Sequence, residues 1–249
     1  MRFPTDPSRL SYLVPLDGRI GPSWVVDQAI ELAQLSGGQL LGVSTLSPEA
    51  APPVLDSFAQ RSQQARVPYE SFRASGSRSQ ALGHLMPRVD MVMVAWFPRA
   101  LRTFGFSTLD RVIRHATRPI WLAQETDQVP TGLTVAFHGQ RKAFHAVRHA
   151  ARLAQAWQRP VDLLVVAEGR DIDDHDVLIA RQELLAQGIA ERESRYEQGD
   201  TGQVLAGVTA ADQLLVMGGA GGGHLFGLTV SRVVQQVLKS PRGPVLICP

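Results

Sequence analysis

One cysteine in 249 residues, Cys248, leaves no partner for an internal disulfide and no Cys-based zinc set, so redox chemistry is not the default. Charge is also sparse. Charged residues make up 19% of the chain, below the roughly 25% of an average soluble domain. Lys and Arg number 25 against 23 Asp and Glu, and this near balance builds no basic field of the kind that holds nucleic acid. Long apolar runs are missing too. The longest, Met91 to Phe97, falls far short of the 18 or so residues of a membrane span. The opening residues Met1 to Ser8 contain no apolar signal core, and the expectation is a cytoplasmic protein without a membrane partner. What is abundant is core: 44% of the residues are hydrophobic, enough to fold one or two domains.

The chain repeats itself. Leu13-Val14-Pro15-Leu16-Asp17-Gly18 reads as a buried strand ending in a turn, and Thr134 to Gly139 reads the same way 121 residues later. Each strand leads into a helix with apolar residues three and four apart: Val25, Ala29, Leu32 and Ala33 in one half, Val147, Ala150, Ala151 and Ala154 in the other. Short apolar strands follow at Leu40–Val43 and Leu163–Val166. Helices around Gln80–Leu82 and Gln203–Leu205 then lead to strands at Asp90–Val94 and Asp212–Met217, apolar throughout as strands of a parallel sheet are. The last helix and strand recur around Val112–Pro119 and Val237–Pro244. Asp90 to Val112 takes 22 steps, whereas Asp212 to Val237 takes 25, so the first half is three residues shorter in one loop. This alternation predicts two tandem α/β domains, each a doubly wound parallel sheet of Rossmann-like type. The boundaries are 1–126 and 131–249, joined by the polar stretch Glu125–Thr131. Ligands then belong at the carboxyl ends of the strands.

Gly218-Gly219-Ala220-Gly221-Gly222-Gly223 follows one such strand. Glycine frees the backbone to aim successive N–H groups at an anion, and the helix expected from about Thr229–Ser231 to Leu238 adds a positive N-terminal end. Phosphate contact and a solvated tight turn both account for the run. A Walker P-loop does not, because His224 and Leu225 stand where Lys and Ser/Thr belong, and no G-x-G-x-x-G fingerprint is present.

Asp212 to Pro244 resembles the C-terminal signature of the universal stress protein (UspA) family, whose nucleotide-binding members carry Gly-x2-Gly-x9-Gly-Ser/Thr there. Gly218 and Gly221 match its first two positions. The final pair falls on Ser231 and Arg232, a serine replacing glycine and an arginine replacing the hydroxyl residue. The first half is similar to the same family through Leu13–Gly18 and Val112–Ile120. Its own loop, Ala95 to Ser107, has lost the glycines and keeps only Ser107 of the motif. The resemblance implies a tandem universal stress protein whose two domains pair as a pseudo-dimer. It implies regulatory binding of an adenine nucleotide, ATP, ADP or AMP, in the second domain, with Mg2+ entering only alongside the nucleotide. Gly218, Gly221, Gly222 and Ser231 would hold phosphate, with Arg232 assisting. His138 would sit near the nucleoside, and the main chain at Val166 near the base. An interaction scaffold without nucleotide is the alternative, with a protein partner unnamed and homodimerisation left open. Turnover is not expected beyond slow ATP hydrolysis.

Other residues have plainer readings. Asp17 matches the family's adenosine-side aspartate but lies in the half without the glycines, where a turn-capping role also fits. His145 and His149, four apart on a helix, lack a third ligand and read as a solvated face. Asp171 to Asp176 reads as a linker and helix start. Trp24, Trp96, Trp121 and Trp157 read as packing residues, and Cys248 as a small buried hydrophobe.

Overall fold

The computed structural model describes residues 9–18, 20–97, 108–125, 129–169, 172–208, 210–219, 232–239 and 242–249. The chain divides into two compact units, Met1–Val129 and Pro130–Pro249. Both are α/β units with the same succession of elements.

In unit 1 the strands are β1 (Ser11–Pro15), β2 (Gln39–Ser44), β3 (Tyr69–Arg73), β4 (Met91–Ala95) and β5 (Ile120–Ala123). The helices α1 (Ser23–Leu35), α2 (Ala51–Gln64), α3 (Arg78–Leu85) and α4 (Thr108–Arg114) alternate with them. The strands are parallel in the order β3-β2-β1-β4-β5. Every residue of β1, β4 and β5 is buried, which explains why these segments are apolar without alternation: helices cover both faces of the sheet. Only the edge strand β3 is half-exposed, and it is correspondingly polar. Ser77 begins α3 with a capping box, its hydroxyl accepting from the Gln80 amide while the Gln80 side chain returns to the Ser77 backbone.

Unit 2 repeats this with β6 (Gly132–Phe137), α5 (Arg141–Trp157), β7 (Val161–Ala167), α6 (Asp174–Leu185), β8 (Glu191–Gln198), α7 (Thr201–Val208), β9 (Gln213–Gly218), α8 (Arg232–Lys239) and β10 (Val245–Cys248). Its strands, again parallel, run in the order β10-β9-β6-β7-β8. The helix α5 buries Ala143, Ala146, Val147, Ala150, Ala151 and Ala154, small residues that let it lie close on the sheet. Asp173 caps α6 by accepting from the His175 amide, and Asp174 and Asp176 occupy its first turn, in keeping with the helix start read from that acidic run.

In each unit the strand order reverses beside the first strand, between β1 and β4 and between β6 and β9. The carboxyl ends of those strands open the crevice where doubly wound sheets bind ligands. Cys248 is buried in β10, and burial pushes its thiol pKa up, as befits an inert small hydrophobe. Trp96, Trp121 and Trp157 are buried, and Trp24 packs edge-on against Phe97 with ring centroids 5.9 Å apart. His145 and His149 are half-buried rather than solvated, and His145 Nδ1 lies 3.2 Å from the Pro249 carbonyl oxygen. Among the described residues no cluster of His, Cys, Asp and Glu could hold a metal, and no helix is long and apolar enough to cross a membrane.

Candidate functional site

Three places in the fold meet at each crevice: the turn after the first strand, the first residue after the second strand, and the first residue of the third helix. In unit 1 they carry Asp17, Thr45 and Arg78. In unit 2 they carry His138, Glu168 and Thr201.

Asp17 is 1% exposed and has no unmet demand. Its carboxylate accepts from Ser44 Oγ at 3.0 Å, from the Thr45 amide at 3.1 Å, from the Thr45 hydroxyl and from Arg78 Nε at 2.9 Å. Burial disfavours its charge, but the hydrogen bonds from Thr45, Arg78 and Ser44 outweigh that and hold the carboxyl below its ordinary pKa. An ionised carboxylate offers about four acceptor positions, and here the protein fills them. Around this group the turn folds tightly, with the Ile20 and Gly21 amides both donating to the Asp17 carbonyl. The loop after β1 also reaches the end of β4, where the Ala95 amide donates to Ile20 O at 2.8 Å. Arg78 and Thr45 were missed in the sequence because they lie 61 and 28 residues from Asp17.

Unit 2 distributes its charge differently. His138 is half-buried at the end of β6, and burial lowers its pKa. A hydrogen bond with Gln140 and the charge of Glu168 offset part of that loss. Glu168 caps α7: its Oε2 accepts from the Thr201 hydroxyl at 2.6 Å and the Thr201 amide at 3.2 Å. The histidine therefore faces a carboxylate that already serves a helix end. Gly139, beside it, takes φ +70°, which lets the chain turn from β6 into α5.

The start of α5 carries the strongest local signal. Its N-cap, Gln140, makes no side-chain capping bond, no acidic residue occupies the first turn, and Arg141 and Lys142 stand there instead. Cations oppose the positive end of a helix, so this placement favours an anion nearby, and the Asp176 carboxylate, 3.5 Å from where a Cβ on Gly139 would stand, is one the protein already places at this turn. Arg141 is exposed; Lys142 is half-buried, and burial lowers the pKa of its ammonium group. Two adjacent basic residues directly after His138-Gly139-Gln140 were visible in the sequence, and helix-dipole reasoning could have found them.

Gly218, the last residue of β9, abuts this turn. A Cβ placed on it would sit 2.6 Å from the Lys142 carbonyl oxygen, so its lack of a side chain is a packing requirement. The next amide, Gly219 N–H, donates to Cys248 O at 3.1 Å. Val166 is buried in β7, whereas its neighbours Val165 and Ala167 line a groove of about 440 Å3 with Ile172, Asp174, Tyr196, Glu197 and Gln198. Arg232 opens α8 with its side chain 83% exposed, Nη2 lying 3.8 Å from Asp200 Oδ2. Gly221, Gly222 and Ser231 lie outside the described residues, as do Ser107, Asp171 and the remainder of residues 98–107 and 220–231. The structure thus brings His138, Glu168, Lys142 and Gly218 to one crevice.

No protein-family model matches the sequence, and no curated protein does either. Solved structures do. A universal stress protein from Archaeoglobus fulgidus DSM 4304 superposes with a TM-score of 0.76 at 16% identity, over 96% of both chains. A functionally unknown protein from Pseudomonas aeruginosa PAO1 gives 0.67 at 13% identity, over 97% of this chain and 92% of that one. The cytoplasmic domain of a prokaryotic cation chloride cotransporter gives 0.60 at 11% identity, over 96% and 95%. The chain has the universal stress protein fold along nearly its whole length. At these identities the likeness concerns the fold, and the cotransporter domain shows that this architecture serves more than one setting.

Proposed function

We propose that the chain is a tandem universal stress protein of regulatory type, acting in the cytoplasm, whose second unit binds an adenine nucleotide. One observation carries the reading. Arg141 and Lys142 stand at an uncapped helix start beside Gly218, at the carboxyl ends of β6 and β9, where doubly wound sheets take phosphorylated ligands. Lys142, Arg141 and Arg232 would meet the phosphates, with Gly221, Gly222 and Ser231 contributing amides and a hydroxyl. His138 would meet the nucleoside as a neutral imidazole, and the β7 backbone at Val166 the base. Mg2+ would enter only with ATP or ADP. The proposed role is regulatory binding, with at most slow ATP hydrolysis.

The test is mass spectrometry of small molecules released from freshly purified protein, followed by calorimetric titration with ATP, ADP and AMP. A nucleotide that copurifies, and whose affinity falls in Lys142→Ala, supports the proposal. Silence in both measurements removes it. A second reading, a nucleotide-free interaction scaffold, draws support from Gly218 and Gly219, because close packing and a bond to Cys248 O already occupy the first part of the glycine run. It predicts a protein partner whose affinity ignores both nucleotide and Lys142→Ala.

A further inference from the structure

The outer strand of unit 2 is an unusual edge. β8 is eight residues long, above the common five or six, and among the described residues it pairs only with β7. Exposed edges invite pairing with another chain, and proteins blunt them with charged side chains, lysine above all, with proline, with bulges or with shortness. The sequence Glu191-Arg192-Glu193-Ser194-Arg195-Tyr196-Glu197-Gln198 holds no lysine and no proline, and its five charges alternate in sign, so they repel a strand of one charge but can oppose their complements in a second copy. Its one irregularity lies at the very start, opposite Val161 and Asp162, leaving Glu193–Gln198 regular.

Charge then selects a partner. Ser194, Tyr196 and Gln198 share one face of β8, standing beside Leu163, Val165 and Ala167 of β7, so Glu193, Arg195 and Glu197 share the other. An antiparallel second copy with its two-fold axis at Tyr196 sets each Arg195 opposite the other copy's Glu197. Ser194 then meets Gln198, and Tyr196 meets Tyr196. Moving the axis to Arg195 opposes arginine to arginine and Glu193 to Glu197, and moving it to Ser194 opposes Glu191 to Glu197. Within the regular stretch Glu193–Gln198 the register about Tyr196 pairs five residues, Ser194 to Gln198, without a like-charge pair, more than any other register does.

The helix above the edge agrees. Arg181 of α6 reaches β8, donating to Ser194 Oγ at 3.2 Å and pairing with Glu191 at 2.7 Å. Leu178 and Leu185 are three residues before and four after Arg181, on the same flank, and they are 50% and 60% exposed. Tyr196, on the Ser194 face of β8, is 57% exposed. Leu178 and Leu185 of α6 and Tyr196 of β8 are thus left in water on two elements that Arg181 joins, apolar surface that a symmetric copy would cover with its own.

We infer that unit 2 docks a second copy of this chain through antiparallel pairing of β8 with β8 about Tyr196, held in register by reciprocal Arg195–Glu197 pairs and sealed by Leu178 and Leu185. The inference is independent of nucleotide. Sedimentation velocity of the full chain over a wide concentration range tests it. A concentration-dependent dimer is expected, weakened at least about tenfold in Arg195→Glu, where like charges oppose, and restored in Arg195→Glu/Glu197→Arg, where the pairs are exchanged. Thermal melting of each variant reports folding, and Glu197→Arg alone supplies the same reading should Arg195→Glu misfold. Amide hydrogen exchange should slow at 193–198 as the dimer forms. A chain that stays monomeric throughout, as it would if the edge receives a segment of another protein, overturns the inference. So does a dimer indifferent to both charge reversals, or one that the exchanged pair does not restore.

Discussion

The two crevices are built from the same elements and reach opposite electrostatic states. In unit 1 a buried carboxylate collects every donor within reach, including the guanidinium that opens the third helix. The corresponding helix in unit 2 opens with a threonine. Its carboxylate has moved to the end of the second strand, and a half-buried histidine stands in the turn. At the mouth, unit 1 presents the Trp24–Phe97 pair, and unit 2 presents Arg141 and Lys142. A repeated fold therefore fixes where polar groups converge, while a few side chains decide whether the convergence is spent inside the protein or left partly to solvent. Unit 1 has spent it.

The sharpest way to break this contrast is to remove the carboxylate. Asp17→Ala strands Ser44, the Thr45 amide and Arg78, and is expected to destabilise unit 1 by about 3 kcal/mol, whereas His138→Ala should cost unit 2 about 1 kcal/mol or less. Native-state hydrogen exchange reads the two units separately. Equal losses would mean that the crevices are not differently committed. The carboxyl of Asp17 is held below its ordinary pKa, so its contribution is complete above about pH 4 and is lost as pH falls through the lowered folded value. Asp17→Ala should accordingly show a shallower acid limb in denaturant unfolding.

The last residue of the fourth strand gives the next contrast: Ala95 in unit 1, Gly218 in unit 2. Gly218→Ala forces a methyl against the Lys142 carbonyl oxygen, which backbone cannot yield cheaply, and should cost about 2 kcal/mol. Ala95→Gly removes only a small buried methyl and should cost about 1 kcal/mol. A tolerated Gly218→Ala, seen as an unchanged denaturation midpoint, would release Gly218 from its packing role and return it wholly to the ligand. For the ligand itself, Lys142→Ala is expected to weaken nucleotide binding about tenfold by calorimetry, the share of one charge-assisted contact.

Much of this architecture was readable in advance, and the reasons are physical. Strands buried on both faces are apolar throughout, so β1, β4, β6 and β9 stood out, and the 121-residue offset between Leu13–Gly18 and Thr134–Gly139 tied them into two copies. β8 escaped because Glu191–Gln198 has no apolar signature: an edge strand faces water, and its pattern is that of a polar loop. The Asp17 cluster escaped for another reason. Its donors come from the end of β2 and the start of α3, far from Asp17 in sequence, and long-range hydrogen bonding leaves no periodic trace. Lys142 was legible and missed, since a glycine run draws the eye toward amides when the opposing cation is the stronger anion signal.

His138 provides the finest test of the comparison, because both crevice groups are depressed in pKa yet for opposite reasons. Asp17 is lowered by partners that favour its charge; His138 is lowered by burial that disfavours it, in spite of Gln140 and Glu168. A histidine neutral in the fold but ordinary when unfolded lets the unfolded chain take up its proton first. Stability of unit 2 should therefore be intact above about pH 6.5 and decline as pH falls below it, levelling off under the lowered folded value. Hydrogen exchange in unit 2 between pH 5 and 7.5 measures this, and His138→Gln, which keeps a polar side chain without titrating, should flatten the profile. Acidification that instead steadied unit 2 over that window would show Glu168 holding an imidazolium, making the second crevice a charge pair like the first.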